Sequence, residues 1–269
     1  MYRRDTAPAA VRHAPGTRAP AASWLAAISM FTIIPAGGPE TIDPGLARRI
    51  TYWLPAVGVL LAVPAAGILI GVEVPGALPR RLLAATLAIG ALGLLTGGLH
   101  LDGLADTADG LGSRKPAAQA LEVMRRSDTG PMGVAAIVLT VLVQVTALAV
   151  ITPRWLSAAA LITAVVTSRV AVLLASGVPG ARSGGFGALI AGTTSRGARW
   201  LACGGLLTVI GAAGGAAGGL ALALRGLGAV ACGLVAATAL RRIAFRRLGG
   251  MTGDVYGAII EISTAVVLL

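Results

Sequence analysis

The sequence predicts an all-α, polytopic integral membrane protein, a helical bundle with roughly 6–8 transmembrane or re-entrant helices. Two features of its composition predict this class: 56% of the 269 residues are hydrophobic and only 12% are charged, whereas a soluble domain carries about 25% charged residues. The third observation is that the apolar residues form long runs, each close to the ~20 residues that cross a bilayer as a helix. A soluble domain with a large core is therefore excluded.

The chain divides into a tail and one membrane domain. Residues 1–22 are rich in Ala, Pro and Arg and contain no long apolar run, which predicts a disordered cytoplasmic tail. Residues 23–269 form a single predicted domain. Its first apolar segment, Trp24–Ile34, is short and is followed by Pro35, so it is either interfacial, re-entrant or spanning. The later spans are predicted at 52–72, 82–100, 131–152, 156–176, 200–224, 227–240 and 255–269.

The basic residues predict the orientation of these spans. Most of the 22 lysines and arginines fall in loops on the side of the N-terminus. The opposite loops carry only Arg80, Arg81, Arg154 and Arg225. By the positive-inside rule the N-terminus is cytoplasmic, and the loops 101–130, 177–199 and 241–254 then open together on the cytoplasmic face.

The stretch "HLDGLADTADGLG", residues 100–112, carries Asp102, Asp106 and Asp109 at the end of an apolar run. At about 100° per residue, the second and third carboxylates lie within about 40° of the first on one helical face. Like charges at this spacing repel each other. A divalent cation would reverse the sign of that interaction, and oxygen-only ligands suit Mg²⁺ or Mn²⁺. The pattern therefore predicts a metal site.

The residues that follow supply positive charge. The segment "AAQALEVMRR", 117–126, predicts an amphipathic helix with Glu122, Arg125 and Arg126 on its polar side. Arginines beside a carboxylate-bound metal suit a phosphate or diphosphate substrate, through charge-assisted and often bidentate hydrogen bonds. The alternative is that these arginines and Lys115 only reflect the positive-inside rule.

Ionisable residues also occur inside the predicted spans. In "RRLGGMTGDVYGAIIEIS", residues 246–263, Asp254 and Glu261 are seven apart and lie nearly on one helical line. An ionisable group within an apolar segment costs ~2.5–3.5 kcal/mol on insertion scales, which makes Glu261 a functional candidate. Arg169 is the other intramembrane charge, and its expected partner is either an acidic side chain or a substrate phosphate.

His100 precedes the three aspartates and is either an interfacial histidine or a catalytic base.

Several other site classes have no support in the sequence. Cys203 and Cys232 lie in apolar segments without metal-ligand spacing. There is no Ser/His/Asp or Cys/His arrangement and no phosphate-binding loop. Aromatic residues make up 4% of the chain and are not interleaved with the basic residues, so no nucleic acid is expected as a partner.

Four stretches resemble, in order, the signatures of the cobalamin synthase family, adenosylcobinamide-GDP ribazoletransferase. They are "FTIIP", "HLDGLADTADGLG", "LEVMRRSDTGPMGVAA" and "RLGGMTGDVYGAIIE". The segment "SRVAVLLASGVPGARSGGFG" is similar to the Arg-containing middle segment of that family. The resemblance covers nearly the whole chain after residue 23. One departure is that Ser263 and Thr264 stand where the family usually has an acid shortly after Glu261.

The resemblance implies a Mg²⁺-dependent, multi-pass enzyme of the bacterial cytoplasmic (inner) membrane, with its active site facing the cytoplasm. Such an enzyme joins adenosylcobinamide-GDP to α-ribazole or its 5′-phosphate, giving adenosylcobalamin or its phosphate and GMP. One or two Mg²⁺ ions are expected on Asp102, Asp106, Asp109 and Asp128. Further catalytic candidates are Glu122 and His100. Substrate and phosphate binding is expected at Arg114, Arg125, Arg126, Arg169, Arg182, Asp254 and Glu261.

Two rival functions stay open at this point. The run from Asp106 to Arg114 also resembles the first half of the CDP-alcohol phosphotransferase motif, with Ser113 in place of Ala, so a lipid-making phosphotransferase is the closest rival. A cation-coupled transporter would place its site near the bilayer midplane, ideally within an internal repeat, and no convincing repeat is present. The expected partners are the two substrates and the lipid bilayer. A homo-oligomer or a complex with other cobalamin-assembly enzymes stays open.

Overall fold

Helices form the regular secondary structure of this protein. The structure is a computed structural model that describes residues 20–38, 41–72, 78–182 and 184–269. The helices in these ranges are α1 (Pro20–Phe31), α2 (Pro44–Gly71), α3 (Leu78–Leu95), α4 (Leu99–Gly112), α5 (Ala117–Val123), α6 (Pro131–Val150), α7 (Arg154–Ala175), α8 (Phe186–Ile190), α9 (Arg196–Leu248) and α10 (Gly253–Leu268).

The long apolar helices confirm a polytopic membrane protein. By length and composition, α2, α3, α6, α7 and α9 can each cross a membrane, with mean hydropathy between 1.5 and 2.4 in their apolar windows. The first helix, α1, has only 12 residues, which is short of the ~20 needed to span. Helix α10 has 16 residues.

The N-terminal boundary differs from the prediction. The predicted disordered tail lies outside the described residues as far as residue 19. Its last three residues are helical, because α1 begins at Pro20. Proline suits the first position of a helix, where its missing N–H has no partner to lose. Ser23 then donates a 2.8 Å hydrogen bond to the Pro20 carbonyl and closes the first turn.

At two glycine pairs the structure breaks a helix that the sequence predicted to be continuous. The predicted span 82–100 ends early, at Leu95. Gly97 and Gly98 follow with φ of 59° and 73°, a left-handed conformation that glycine adopts at little cost. The acidic motif therefore lies on a separate helix, α4, which begins at Leu99.

The second pair lies inside α9, which consists of two arms joined by a tight turn. Gly219 has φ of 68° and leaves the helical region. A Cβ atom at Gly214 would lie only 2.7 Å from the Cα of Ala223, so the two arms pack closely beside this turn. The predicted break between 224 and 227 is wrong for this reason, and Arg225 lies within the second arm.

The centre of the bundle is formed by α7 and α10. Of the five long helices α7 is the most buried, with 67% of its apolar window inside the protein against 22–44% for the others. Helix α10 packs against α4, α6, α7 and α9, and its residues from Val255 to Ile260 are all buried. An acidic residue at the start of α10 is thereby held beside α4, and one further along it lies in the protein interior.

Candidate active site

The three aspartates of α4 lie on one helical face, as their spacing predicts. Asp102 is exposed, whereas Asp106 and Asp109 are partly buried. The pKa of Asp106 is raised to about 7, first by burial and then by the negative charges of Asp102, Asp254 and Asp109. Asp106 is therefore the centre of a carboxylate cluster, which consists of Asp102, Asp106, Asp109 and Asp254. The first three lie on α4, whereas Asp254 comes from α10, far away in sequence.

Glycine at two positions allows this convergence. A Cβ atom at Gly103 would lie 2.7 Å from the carbonyl oxygen of Asp254, and one at Gly257 would lie 3.1 Å from the carbonyl oxygen of His100. These distances are shorter than ordinary van der Waals contact, so α4 and α10 approach closely only because neither glycine has a side chain. The close approach sets Asp254 beside Asp106.

Arg182 is the cation of the cluster. Its Nη1 lies 3.4 Å from Oδ2 of Asp254, and its Nη2 donates a 2.9 Å hydrogen bond to the Leu121 carbonyl on α5. The Thr252 hydroxyl also donates to the Asp254 carboxylate, at 3.2 Å. Burial raises the pKa of Asp254, while Arg182 and Thr252 act in the opposite direction. These bonds bring together the three loops that were predicted to share one face.

Asp109 has a structural role that the sequence did not indicate. Its two carboxylate oxygens accept hydrogen bonds from the backbone N–H groups of Gly130 at 2.6 Å and Gly133 at 2.8 Å. These amides lie at the N-terminus of α6, where backbone N–H groups lack partners within the helix and the helix dipole favours a negative charge. Asp109 therefore caps α6 and fixes it against α4.

The other residues predicted for this site lie at its margin. Glu122 and Asp128 are exposed, as are Arg114, Arg125 and Arg126. None of them is among the charges that change the pKa of Asp106, which are Asp102, Asp109, Asp254 and Arg182. Helix α5 also ends at Val123, so Arg125 and Arg126 follow the helix and are not on its polar side.

The donor set suits a hard cation, although the ligands are not gathered around one point. Among the residues that the structure describes, no three Asp, Glu, His or Cys side chains lie closely enough to hold a metal ion. The carboxylates around Asp106 outnumber the one arginine that acts on it. All-oxygen, negatively charged donors are those that Mg²⁺ takes, so the metal prediction rests on this chemistry.

His100, Arg169 and Glu261 lie apart from the cluster, in the protein interior. Together with Gln144 they line a cavity of ≈ 30 Å³, room for about two water molecules. Gln144 Nε2 donates a 2.9 Å hydrogen bond to the Glu261 carboxylate, and Arg169 Nη1 donates one of 2.9 Å to Ser168 Oγ. No carboxylate of the described chain lies within 4 Å of Arg169.

Sequence reasoning missed Gln144, whose only signal is an isolated amide within the apolar helix α6. Nε2 of His100 is buried without a hydrogen-bond partner and shares the cavity with Arg169. The cavity therefore holds a cation, a carboxylate and an unpaired imidazole nitrogen. Arg169 and Glu261 line the same cavity, and the two opposite charges act on each other across it.

Comparison with known proteins identifies the family of this chain. Residues 23–269 match the family described as cobalamin-5-phosphate synthase. The chain is 39% identical to an adenosylcobinamide-GDP ribazoletransferase of Frankia casuarinae, over 90% of this chain and 91% of the relative. Proteins of the same name from Bradyrhizobium diazoefficiens (90% of each chain) and a Nocardioides species (92% of this chain, 96% of the relative) are both 36% identical. No solved structure matches significantly. The chain belongs to the cobalamin-5-phosphate synthase family.

Proposed function

We propose that this protein joins adenosylcobinamide-GDP to α-ribazole or its 5′-phosphate, giving adenosylcobalamin or its phosphate and releasing GMP. The observation that carries the proposal is the family match over residues 23–269, which includes every residue of the carboxylate cluster. Relatives at 36–39% identity bear the name of this transferase. The wide coverage of both chains supports the transfer of the whole activity and not of one motif.

The reaction exchanges one phosphorus–oxygen bond for another. A ribose hydroxyl of α-ribazole attacks the phosphorus next to the cobinamide, the bond to GMP breaks, and the hydroxyl proton passes to a carboxylate. We assign that proton to Asp254, because its raised pKa makes it a stronger base than an ordinary aspartate. Asp254 also contacts Arg182, which we propose binds a phosphate oxygen at the same point.

We further propose one or two Mg²⁺ ions held by Asp102, Asp106 and Asp109, with Asp128 from the loop before α6. When bound, Mg²⁺ would polarise the diphosphate and neutralise the leaving phosphate. The crowding of negative charge around Asp106 supports this assignment, because a cation relieves it. The hydrogen bonds of Asp109 to α6 leave lone pairs on both carboxylate oxygens for a further ligand.

The arginines around the cluster complete the proposed site. Arg182 lies against Asp254, and the exposed residues Arg114, Arg125 and Arg126 stand in the flanking loops, where they are available to phosphate oxygens. Positioning and charge account for most of the rate enhancement of such a transfer. We assign His100, Arg169 and Glu261 to the support of α4 and α10 because they line the interior cavity.

We propose that the cluster faces the cytoplasm of a bacterial cell, in the inner membrane. The support is the excess of arginine in the loops around the cluster, which follows the positive-inside rule. Labelling of single cysteines introduced at exposed Ser127 and near the turn of α9, in right-side-out and inverted vesicles, tests this orientation. Ser127 is expected to react only in the inverted vesicles.

The decisive experiment supplies purified protein in native-like lipid with adenosylcobinamide-GDP, α-ribazole and Mg²⁺, and measures GMP release. Release that depends on α-ribazole is the expected result. A folded wild-type protein that releases no GMP would overturn the proposed function. A parallel assay with a CDP-alcohol and a lipid acceptor tests the closest rival. Undiminished Mg²⁺-dependent activity in Asp106→Asn and Asp102→Asn would remove the metal site alone.

A further inference from the structure

A second group of charges lies at the end of α7, outside the carboxylate cluster. Arg199, in the first arm of α9, donates a 2.9 Å hydrogen bond to the Thr194 carbonyl, and its guanidinium lies directly over Gly177, just beyond α7. Arg241, in the second arm, donates a 3.4 Å hydrogen bond to the Leu174 carbonyl of α7. The two arms of α9 thus bring their arginines to the same helix end.

These arginines form a cluster of like charge, which we call the arginine cluster and define as Arg199, Arg241 and Arg242. Arg241 is acted on by the positive charges of both other members. No carboxylate of the described residues lies within 4 Å of any of the three. Arg199 and Arg241 are partly buried. Partly buried cations without acidic partners repel each other at a cost that an anion would remove.

The carbonyl contacts account for only part of this arrangement. Lysine and arginine side chains commonly bond the last carbonyls of a helix and interact well with its dipole. One such residue, Arg241 on the Leu174 carbonyl, suffices at the end of α7. Arg199 is held instead on the Thr194 carbonyl in the loop before α9, and Arg242 adds a third charge without a protein partner in the described chain. The surplus of positive charge indicates an external anion.

Exposed apolar side chains occur in both arms of α9, close in sequence to the arginine cluster. Trp200 is 67% exposed and follows Arg199 directly, while Phe245 is 47% exposed and lies four residues, about one helical turn, after Arg241. Tryptophan is enriched at the boundary of the bilayer, where an apolar ring and a polar edge are both satisfied. The surface therefore combines cations with apolar contacts at the end of membrane-spanning helices.

We propose that the arginine cluster binds the headgroup of an anionic phospholipid, whose acyl chains lie along the exposed apolar face of α9. Charge complementarity selects a phosphate, and the flanking Trp200 and Phe245 select one that carries acyl chains. A free phosphate or a nucleotide would satisfy the charges but leave the apolar side chains uncovered. Basic pockets between membrane helices recognise anionic headgroups by the same chemistry. The proposal is independent of the reaction at the carboxylate cluster.

Lipid retention by the full-length protein tests this site. The protein is reconstituted into nanodiscs that contain phosphatidylglycerol and phosphatidylcholine in equal amounts. It is then released from them, and the lipid that stays bound is counted by native mass spectrometry. Wild type is expected to retain phosphatidylglycerol preferentially. Each arginine near an anionic headgroup contributes about fivefold in affinity. Arg242→Gln should therefore weaken retention about fivefold, and the triple Arg199→Gln, Arg241→Gln, Arg242→Gln variant by on the order of a hundredfold.

The controls separate a lipid site from folding and from a free-anion site. Arg225→Gln removes an exposed arginine of the second arm near the turn of α9 and should retain phosphatidylglycerol as wild type does. The double variant Arg199→Lys, Arg241→Lys keeps the charge and should preserve binding of phosphatidylglycerol. It tests the role of charge even where the triple variant does not fold. Equal retention of the two lipids by wild type, unchanged retention in Arg242→Gln, or displacement of phosphatidylglycerol by millimolar inorganic phosphate or GMP would each overturn the proposal.

Discussion

The same two helices carry two polar regions of opposite character. Near one end of their contact, α4 and α10 assemble the carboxylate cluster around Asp106, which is partly open to solvent and carries more negative than positive charge. Further along α10, Glu261 lines a small cavity together with Arg169 and accepts a hydrogen bond from Gln144. The first region carries an excess of negative charge that a ligand can neutralise, whereas the second contains one positive and one negative side chain, Arg169 and Glu261.

This contrast assigns different consequences to substitutions only a few turns apart. A group held in an unfavourable electrostatic environment is expected to serve function at some cost in stability. A group in a balanced interior network is expected to serve stability, because removal of one partner leaves the others buried and unsatisfied. Substitutions in each region test whether function and stability separate in this way.

The largest effect is expected from Asp106→Asn. The amide keeps the size of the side chain but cannot supply a charged ligand, and loss of such an electrostatic group lowers kcat by on the order of 100-fold or more. The melting temperature should stay equal or rise, because the substitution removes repulsion from Asp102, Asp109 and Asp254. GMP release and thermal unfolding in the same detergent measure both. A large drop in melting temperature would place Asp106 with the structural residues instead.

Arg169→Gln is expected to act mainly on stability. It removes the positive charge that acts on the Glu261 carboxylate and the hydrogen bond that Arg169 donates to Ser168 Oγ, at a cost of about 2 kcal/mol in the free energy of unfolding. The double variant Arg169→Gln, Glu261→Gln should be less destabilised than the sum of the two single variants, because both charges disappear together. Unfolding in denaturant measures the three values, with Arg225→Gln as the control.

A substrate-binding role for Arg169 predicts another pattern. If this arginine bound a phosphate of adenosylcobinamide-GDP, Arg169→Gln would raise the KM for that substrate and leave the unfolding midpoint unchanged. Additive losses in the double variant would also contradict the coupling of Arg169 with Glu261 through the cavity. Both outcomes would contradict a division of the two regions into a functional and a structural one.

Gly103→Ala tests the helix contact that the two regions share. The added Cβ would lie 2.7 Å from the Asp254 carbonyl oxygen, so α4 and α10 have to separate by some tenths of an ångström. A shift of about 1 Å in a catalytic group costs on the order of 100-fold, and the smaller shift here is expected to lower kcat about tenfold. Gly90→Ala is the matched control, since a Cβ atom there meets nothing within 4 Å. Equal activity of the two variants would contradict the role of this contact.

The local part of the site could be predicted from sequence because it depends on helical spacing alone. Asp102, Asp106 and Asp109 share a face wherever a helix forms, and the predicted topology set the loop of Asp254 on the same side as theirs. The capping of α6 by Asp109 could not be predicted, since its partners Gly130 and Gly133 lie on another helix and a carboxylate pattern does not identify its donors.

The membrane spans of the fold could be predicted from sequence, but the breaks within them could not. Apolar runs of sufficient length identify spans, but they conceal breaks that depend on backbone conformation. Gly97 and Gly98 lie inside an apolar run, and their positive φ values leave no signal in hydropathy. The turn at Gly219 gave no signal either, because other glycines surround it. The break between the two spans was predicted at Arg225, a charged residue between apolar segments. Charge is therefore a poor guide to the turn of α9.

The smallest expected effect is a change in stability with pH. The pKa of Asp106 is raised from 3.8 to about 7 in the folded protein, so the folded state binds this proton more tightly than the unfolded state does. The contribution to stability is fully present below pH 3.8 and is lost as the pH rises to about 7. In EDTA the melting temperature should therefore fall modestly across this window, and Asp106→Asn should flatten the fall. Added Mg²⁺ should reduce the fall as well, because a bound cation favours the deprotonated cluster. A melting profile that is identical in wild type and Asp106→Asn would mean that Asp106 is not held in a crowded negative environment.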